Sequence, residues 1–290
     1  MQNFFINENQ LKALSFLAPF IIDDEYFYFG IIMNPLVEPP EAVVEQGNDI
    51  IRDWYKQQDK YGKTKFYDAK IIIVGEPEAG KTTFRRLLFD RNIKIPDDTQ
   101  KSTHGISVET KKEFPHPVSE KNKILTNVWD FGGQDIQYNL HHYFLSHNAL
   151  YVIVTDLRAE KTCVTYWFLA INFFCNKDIP IIALKNDRGD AGNNDVDLEQ
   201  YKRDFPDLAK NFTEVRLNLK KINDEYKNDW NTLLDYFIPK ELVKLNTVGI
   251  EGIKVWSEIR EKFNEIGEPY IEFEQLMVIA DKKGMKNEHD

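Results

Sequence analysis

Residues Gly75-Glu76-Pro77-Glu78-Ala79-Gly80-Lys81-Thr82 read G-x-x-x-x-G-K-[ST], and they stand between the apolar run Ile71-Ile72-Ile73-Val74 and the helically spaced Phe84, Leu87 and Leu88. A strand, a glycine-bounded loop and a helix in that order let backbone N–H groups fold around a phosphate chain, and the helix adds the positive end of its dipole. In that setting Gly75, Glu78, Ala79, Gly80, Lys81, Thr82 and Thr83 hold the phosphates. Lys81 brings charge to the β- and γ-phosphates and Thr82 a hydroxyl to Mg²⁺.

From Tyr67 onward buried strands alternate with helices, the pattern of a doubly wound sheet. The spacing predicts strands over 70–74, 105–114, 124–130, 149–155, 179–184 and 213–218, and helices over 81–90, 134–145, 162–175, 197–204 and 226–237. The second and third strands meet through the polar loop 115–123 and should pair antiparallel, since a parallel pair needs a crossover. The expected fold is therefore α/β, a P-loop NTPase with a doubly wound, mostly parallel six-stranded sheet, one antiparallel edge strand, and helices on both faces. Residues 1–64 read as an appendage, with Leu11, Leu14 and Leu17 recurring, a helix over 42–57 that contains Gly47, and a lysine-bearing linker over 57–65. Short helices are expected over 253–266 and 270–281, and no internal repeat of fixed period is read.

Composition narrows the function. With 20 Phe, 13 Tyr and 5 Trp the chain should be globular. The formal net charge of −10, with no Lys/Arg-dense stretch free of interleaved acids, argues against nucleic acid as a partner. Cys163 and Cys175 are too few for a disulfide framework or a metal site and fit a reducing compartment. The apolar start, 4–22, carries Lys12 and Pro19 and runs into Asp23-Asp24-Glu25, so neither a signal peptide nor a membrane span is expected and the cytoplasm is the expected location.

A phosphate loop alone does not separate kinases, ATPases and GTPases, so the acidic element that follows decides. The strand 124–130 ends in Asp130-Phe131-Gly132-Gly133-Gln134. Aspartate at the end of a buried strand can join the Mg²⁺ shell, the amide of Gly133 can reach the γ-phosphate, and Gln134 can orient an attacking water. Thr103, in Thr103-His104-Gly105-Ile106, is the second hydroxyl for Mg²⁺ and the sensor of the γ-phosphate. Leu184-Lys185-Asn186-Asp187 lies at the end of another buried strand. Guanine presents two donors to a single carboxylate, so Asp187 can read the base while the stem of Lys185 covers its face. The usual pattern is Asn-Lys-x-Asp; with Leu184 read as standing in for the asparagine, guanine preference is weakened. His141, His142 and His147 lack metal-ligand spacing, and Arg85 and Arg158 read as ordinary surface ion-pair residues.

These motifs resemble Ras-like GTPases and, more narrowly, the Roc domain of Roco proteins. The narrower resemblance rests on Thr103 to Ile106, on Trp129 to Gln134, and on 158–167 with its Thr165-Tyr166-Trp167. Upstream, Asn34-Pro35-Leu36 with Pro39-Pro40 and Val44-Glu45-Gln46-Gly47 is similar to the close of the leucine-rich repeats that precede Roc. Downstream, 256–285 resembles the opening of the COR domain that follows it. The resemblance implies a repeat-like cap and linker over 1–64, a Roc domain over 65–245 and the first part of a COR domain over 246–290. It implies GTP/GDP and Mg²⁺ as ligands, and slow GTP hydrolysis with Gln134, Lys81 and Thr103 as catalytic residues and Thr82, Thr103 and Asp130 around the metal. It also implies a protein effector or the remaining Roco segments as partners, and a monomer where COR is cut short. No arginine lies just ahead of Thr103, so unaided turnover on the order of 10⁻⁴ to 10⁻² s⁻¹ is expected. A guanine-nucleotide-binding module that does not hydrolyse is the second reading, favoured by Leu184 and by the degenerate fifth motif Asn218-Leu219-Lys220; an ATPase is the third.

Overall fold

The computed structural model describes residues 3–5, 11, 13–19, 28–30, 38–93, 106–131, 145–157, 164–175, 178–189, 198–266 and 271–285. The chain divides into two compact units, one formed by residues 67–248 and the other by 1–66 together with 249–290.

The central unit is the expected layered sheet. Its elements run β1 (Lys63–Gly75), α1 (Lys81–Phe89), β2 (Ile106–Pro115), β3 (Lys123–Phe131), β4 (Leu150–Asp156), α2 (Val164–Phe174), β5 (Ile181–Asn186), α3 (Leu198–Asp204), α4 (Pro206–Ala209), β6 (Phe212–Leu217), α5 (Lys227–Thr232) and α6 (Ile238–Leu242). The sheet order is β2-β3-β1-β4-β5-β6. Every pairing is parallel except β2 with β3, which is antiparallel with an irregularity between Glu109 and Lys112. A seventh strand, β7 (Val248–Ile253), adds to the six of that path by pairing with β1.

Strand alternation sorts the core into two faces. Ile71 and Ile73 of β1 pack with Phe84 and Leu88 of α1, with Val128, Val152, Val154, Ile182 and Leu184, and with Trp230 and Leu233. Ile72 and Val74 face the other way, onto Trp167, Phe168 and Ile171 of α2. β4 and β5 are buried along their whole length, as strands covered on both faces must be. The helix expected over 226–237 runs on through a π turn, Leu233–Phe237, into α6.

The other unit departs further from the sequence reading. Gly47, at φ 98°, ends the short helix Glu41–Val44 and caps a separate helix, Asn48–Tyr61. The segment read as a linker is the last turn of that helix, Gly62, and the start of β1. Its lysines misled because Lys60, Lys63 and Lys65 form the solvent side of regular elements while Gln58 points inward. Ile51, Trp54 and Tyr55 pack with Leu14 and Leu17 and with Val255, Ile259, Ala280 and Met285, so the chain's two ends share a core. Lys254–Ile266 and Phe273–Lys282 supply its C-terminal helices. The short strands Asn3–Phe5 and Tyr28–Gly30 pair in parallel, and the bridge Ala13 to Glu38 has the same sequence offset. The two pairings thus share a step of 25 residues. Among the described residues no helix is long and apolar enough to cross a membrane.

Candidate functional site

β1 delivers the loop at the end of the sheet where the parallel strands terminate, the usual ligand edge of such sheets. Gly75 has φ 140°, and a Cβ there would stand 2.1 Å from the Val154 carbonyl oxygen of β4. Gly80 has φ 107° and caps α1 without any side-chain hydrogen bond. The first N–H groups of Lys81, Thr82 and Thr83 therefore open into the loop, as the start of a helix requires. Glu78 takes φ 60°, a left-handed backbone on a residue with a Cβ.

Lys81 is buried, and its Nζ donates to the carbonyl oxygens of Gly75, at 2.9 Å, and Glu76. Burial pushes its ammonium down to about 8, against the opposing pull of Asp130 and Glu76. Thr82 Oγ1 donates to Asp130 Oδ2 at 2.7 Å. Asp130 is fully buried, and burial raises its carboxyl while Thr82, Arg85 and Lys81 hold it down. Its second oxygen, Oδ1, is buried with no hydrogen-bond partner among the described residues. A carboxylate oxygen left open beside a threonine hydroxyl and a loop of N–H groups is a donor set that fits Mg²⁺, a hard cation that takes oxygen ligands.

The base-reading motif needs a correction. Leu184 is fully buried in the apolar face beneath α1 and stands in for nothing polar. Two residues on, and so on the same face, Asn186 Nδ2 donates to the Ala79 carbonyl at 2.9 Å, while its Oδ1 accepts Leu219 N–H at 3.3 Å. Those bonds tie the phosphate loop to the loop 218–220. The four-residue pattern then runs Asn186-Asp187-Arg188-Gly189, with Asp190 next and outside the described residues. The signal was present in strand alternation, had burial been followed to the end of β5.

Lys185 points to the opposite face, buried, with Nζ 2.7 Å from Glu214 Oε1. Asp187 accepts the Arg216 fork on Oδ2, at 2.9 and 2.7 Å, and the Gly189 N–H on Oδ1 at 3.0 Å, contacts that hold its carboxyl below the usual range. Arg188, overlooked in the sequence, donates to the Glu78 carbonyl at 2.6 Å and lies 3.6 Å from Asp156 Oδ2. The structure thus gathers Gly75, Glu78, Ala79, Gly80, Lys81, Thr82, Thr83 and Asp130 around one loop. Thr103, Gly133 and Gln134 lie outside the described residues, as do His141, His142, Arg158, Cys163 and all but Leu145 of the helix read over 134–145.

Sheet order, loop geometry and the Thr82–Asp130 contact define a P-loop NTPase domain. The family described as Ras of Complex, Roc, domain of DAPkinase matches residues 70–188. This chain carries a Roc domain of the Roco family. It is 24% identical over 295 residues to a Roc-COR-CHAT protease of Runella zeae, covering 87% of this chain. It is 28% identical over 182 residues, 58% of this chain, to the probable serine/threonine-protein kinase pats1 of Dictyostelium discoideum. The chain spans only 30% and 6% of the lengths of those two proteins. Among solved structures, Methanosarcina barkeri Roco2 RocCORdC bound to GDP superposes with a TM-score of 0.56 at 25% identity, over 76% of this chain and 62% of that one.

Proposed function

We propose that the chain is a Mg²⁺-dependent guanine-nucleotide switch that hydrolyses GTP slowly to GDP and phosphate. The observation that carries the reading is Thr82 Oγ1 on Asp130 Oδ2 with Asp130 Oδ1 left open, because that pair is the protein's half of a metal shell beside a phosphate loop. The GDP in the similar Roco2 structure supports guanine as the base. When bound, Mg²⁺ neutralises charge on the β- and γ-phosphate oxygens. Thr82, Asp130 and Thr103 would hold it, Lys81 would exchange its loop carbonyls for phosphate oxygens, and Gln134 would orient the water. Asn186 keeps the loop in register with strand β5. Base reading falls to Asp187 or Asp190, and GDP affinity of Asp187→Asn and Asp190→Asn, each against ATP, separates the two. With Lys185 engaged by Glu214, we assign the base face no lysine cover.

Thermal shift of the chain with GTP, GDP and ATP, each with and without Mg²⁺, tests binding; stabilisation by ATP equal to that by GDP would refute the guanine reading. Phosphate release from GTP, wild type against Gln134→Leu, tests hydrolysis, and identical background rates would leave a binding module in its place. We also infer that residues 1–64 are the closing turns of a leucine-rich-repeat array and 246–290 the opening of a COR domain. The common strand offset supports the first, with Asn9-x-Leu11 and Asn34-x-Leu36 recurring at the same step; the extent of the match to the Roc-COR-CHAT protein supports the second. We expect the chain to be monomeric by light scattering.

A further inference from the structure

Arg85 lies one helical turn beyond Lys81 and three residues beyond Thr82, on the buried side of α1, with a side chain only 9% exposed. Its Nε stands 3.3 Å from Asp130 Oδ2, the oxygen that also accepts Thr82. Its guanidinium pairs in addition with Glu109 Oε1. Glu109 lies opposite Val128 in the antiparallel ladder, and Ser107 opposite Asp130, so Glu109 and Asp130 share the face of the sheet that α1 covers. Glu109 is also the last regularly paired residue of β2 before the irregularity that ends at Lys112. The result is a chain of polar contacts from half-buried Thr82 through the buried Asp130 and Arg85 to the partly exposed Glu109, crossing from helix to inner strand to edge strand.

We propose that Arg85, anchored by Glu109, is a positioning residue for the metal-shell carboxylate: its guanidinium holds Asp130 Oδ2 against Thr82 and so leaves Oδ1 turned to the cation. The inference rests on the proposed Mg²⁺–nucleotide reading and adds to it a residue outside the phosphate-loop motif. Two features support a positioning role over a passive ion pair. The arginine approaches the oxygen that Thr82 already occupies, and the other has no hydrogen-bond partner among the described residues. Its planar fork can serve two carboxylates at fixed angles, which a lysine cannot do. An opposing effect exists, because a cation next to Asp130 also repels Mg²⁺, and the sign of the measured change decides between them.

The full chain is loaded with fluorescent GDP, and the free Mg²⁺ concentration giving half-maximal retention is measured for wild type, Arg85→Met, Arg85→Lys and Glu109→Gln. Groups that orient a metal ligand typically change affinity about 10- to 100-fold when removed. Arg85→Met and Arg85→Lys should therefore need about ten-fold or more Mg²⁺, and Glu109→Gln a smaller increase in the same direction. GDP affinity in excess chelator should stay within about two-fold of wild type, which a general loss of fold would not allow. Unfolding midpoints in chelator identify any variant that does not fold, and Glu109→Gln carries the test should Arg85→Met be one. A Mg²⁺ requirement equal to or below wild type in the folded variants overturns the inference. Wild type that retains no GDP, with or without Mg²⁺, overturns the proposed function and the inference with it.

Discussion

Replacing Asn186 by alanine should loosen the phosphate loop and destabilise the central unit together. The side chain is 2% exposed and makes two bonds to backbone groups from distant segments, the Ala79 carbonyl at 2.9 Å and the Leu219 N–H at 3.3 Å. Truncation leaves both buried backbone groups unpaired, at about 1–3 kcal/mol each, so about 2–6 kcal/mol is expected. For a unit of this size each kcal/mol is worth about 2–4 °C, which puts the fall in Tm at roughly 4–24 °C. GDP affinity should drop at least about ten-fold, since the carbonyl freed is next to the glycine that caps α1. Leu184→Asn is the sharper half of the experiment. Were position 184 the true site of the motif's asparagine, that change would restore the link and tighten GDP binding. The structure says otherwise: Leu184 is fully buried among apolar side chains. Loss of about 2 kcal/mol of apolar burial and about 1–3 kcal/mol for an unpaired amide should destabilise it by about 3–5 kcal/mol. Differential scanning fluorimetry and fluorescent-GDP titration of both variants suffice. Tighter GDP binding by Leu184→Asn, with Asn186→Ala melting like wild type, would refute the register assigned here.

Gly75→Ala should prevent the loop from closing onto β4, because its new carbon would sit 2.1 Å from the Val154 carbonyl oxygen; denaturant unfolding should show a loss above about 3 kcal/mol, and wild-type stability would contradict the close approach. Glu78→Gly should gain about 0.5–1 kcal/mol in nucleotide-free protein by relieving the φ of 60°, read in the same assay. Arg188→Ala should speed GDP dissociation, measured by stopped flow, because the Glu78 carbonyl loses its 2.6 Å donor. Asp187 titrates below its ordinary range, so the stability it contributes is present above the unfolded value near 4 and is lost as pH falls through the lower folded value. Arg216→Met should move that titration upward in carbon-13 carboxyl spectra and lessen the acid-side loss; an unmoved titration would show that Arg216 does not hold the carboxylate.

Much of the central fold was legible because its signals are local. β5, predicted over 179–184, is found at Ile181–Asn186, and α1 ends one residue short of its predicted boundary at 90. β5 is set by an apolar run buried on both faces, and α1 by apolar residues at helical spacing. The antiparallel step at β2 was legible for a different reason, since a short polar loop cannot make the crossover that a parallel pair requires. The flanking segments were harder because their partners are remote in sequence. Nothing near Trp54 or Ile51 announces that Ile259 and Met285 will cover them. Lysines on the outer side of a helix and a strand look like a linker until the inward residues are known. The parallel pairings of Asn3 with Tyr28 and Ala13 with Glu38 share one offset, which nothing local in those segments announces.

The site departed from the sequence reading at the places where face, not identity, decides role. Asp130, Leu184 and Asn186 sit on the side of the sheet covered by α1, and the ladder puts Glu109 there too. Lys185, one residue from Asn186, is on the other side and meets Glu214. A motif read as a string gives the two neighbours equal standing, whereas the pleat separates them by the thickness of the sheet. The same logic explains Arg85, which helix spacing places under Thr82 and Lys81 and which therefore meets the aspartate from within the protein. Swapping the order of Lys185 and Asn186 would keep composition and charge but turn the amide away from Ala79. It should weaken GDP binding as much as Asn186→Ala does, and GDP binding at wild-type strength would mean that the amide's face is irrelevant to the loop.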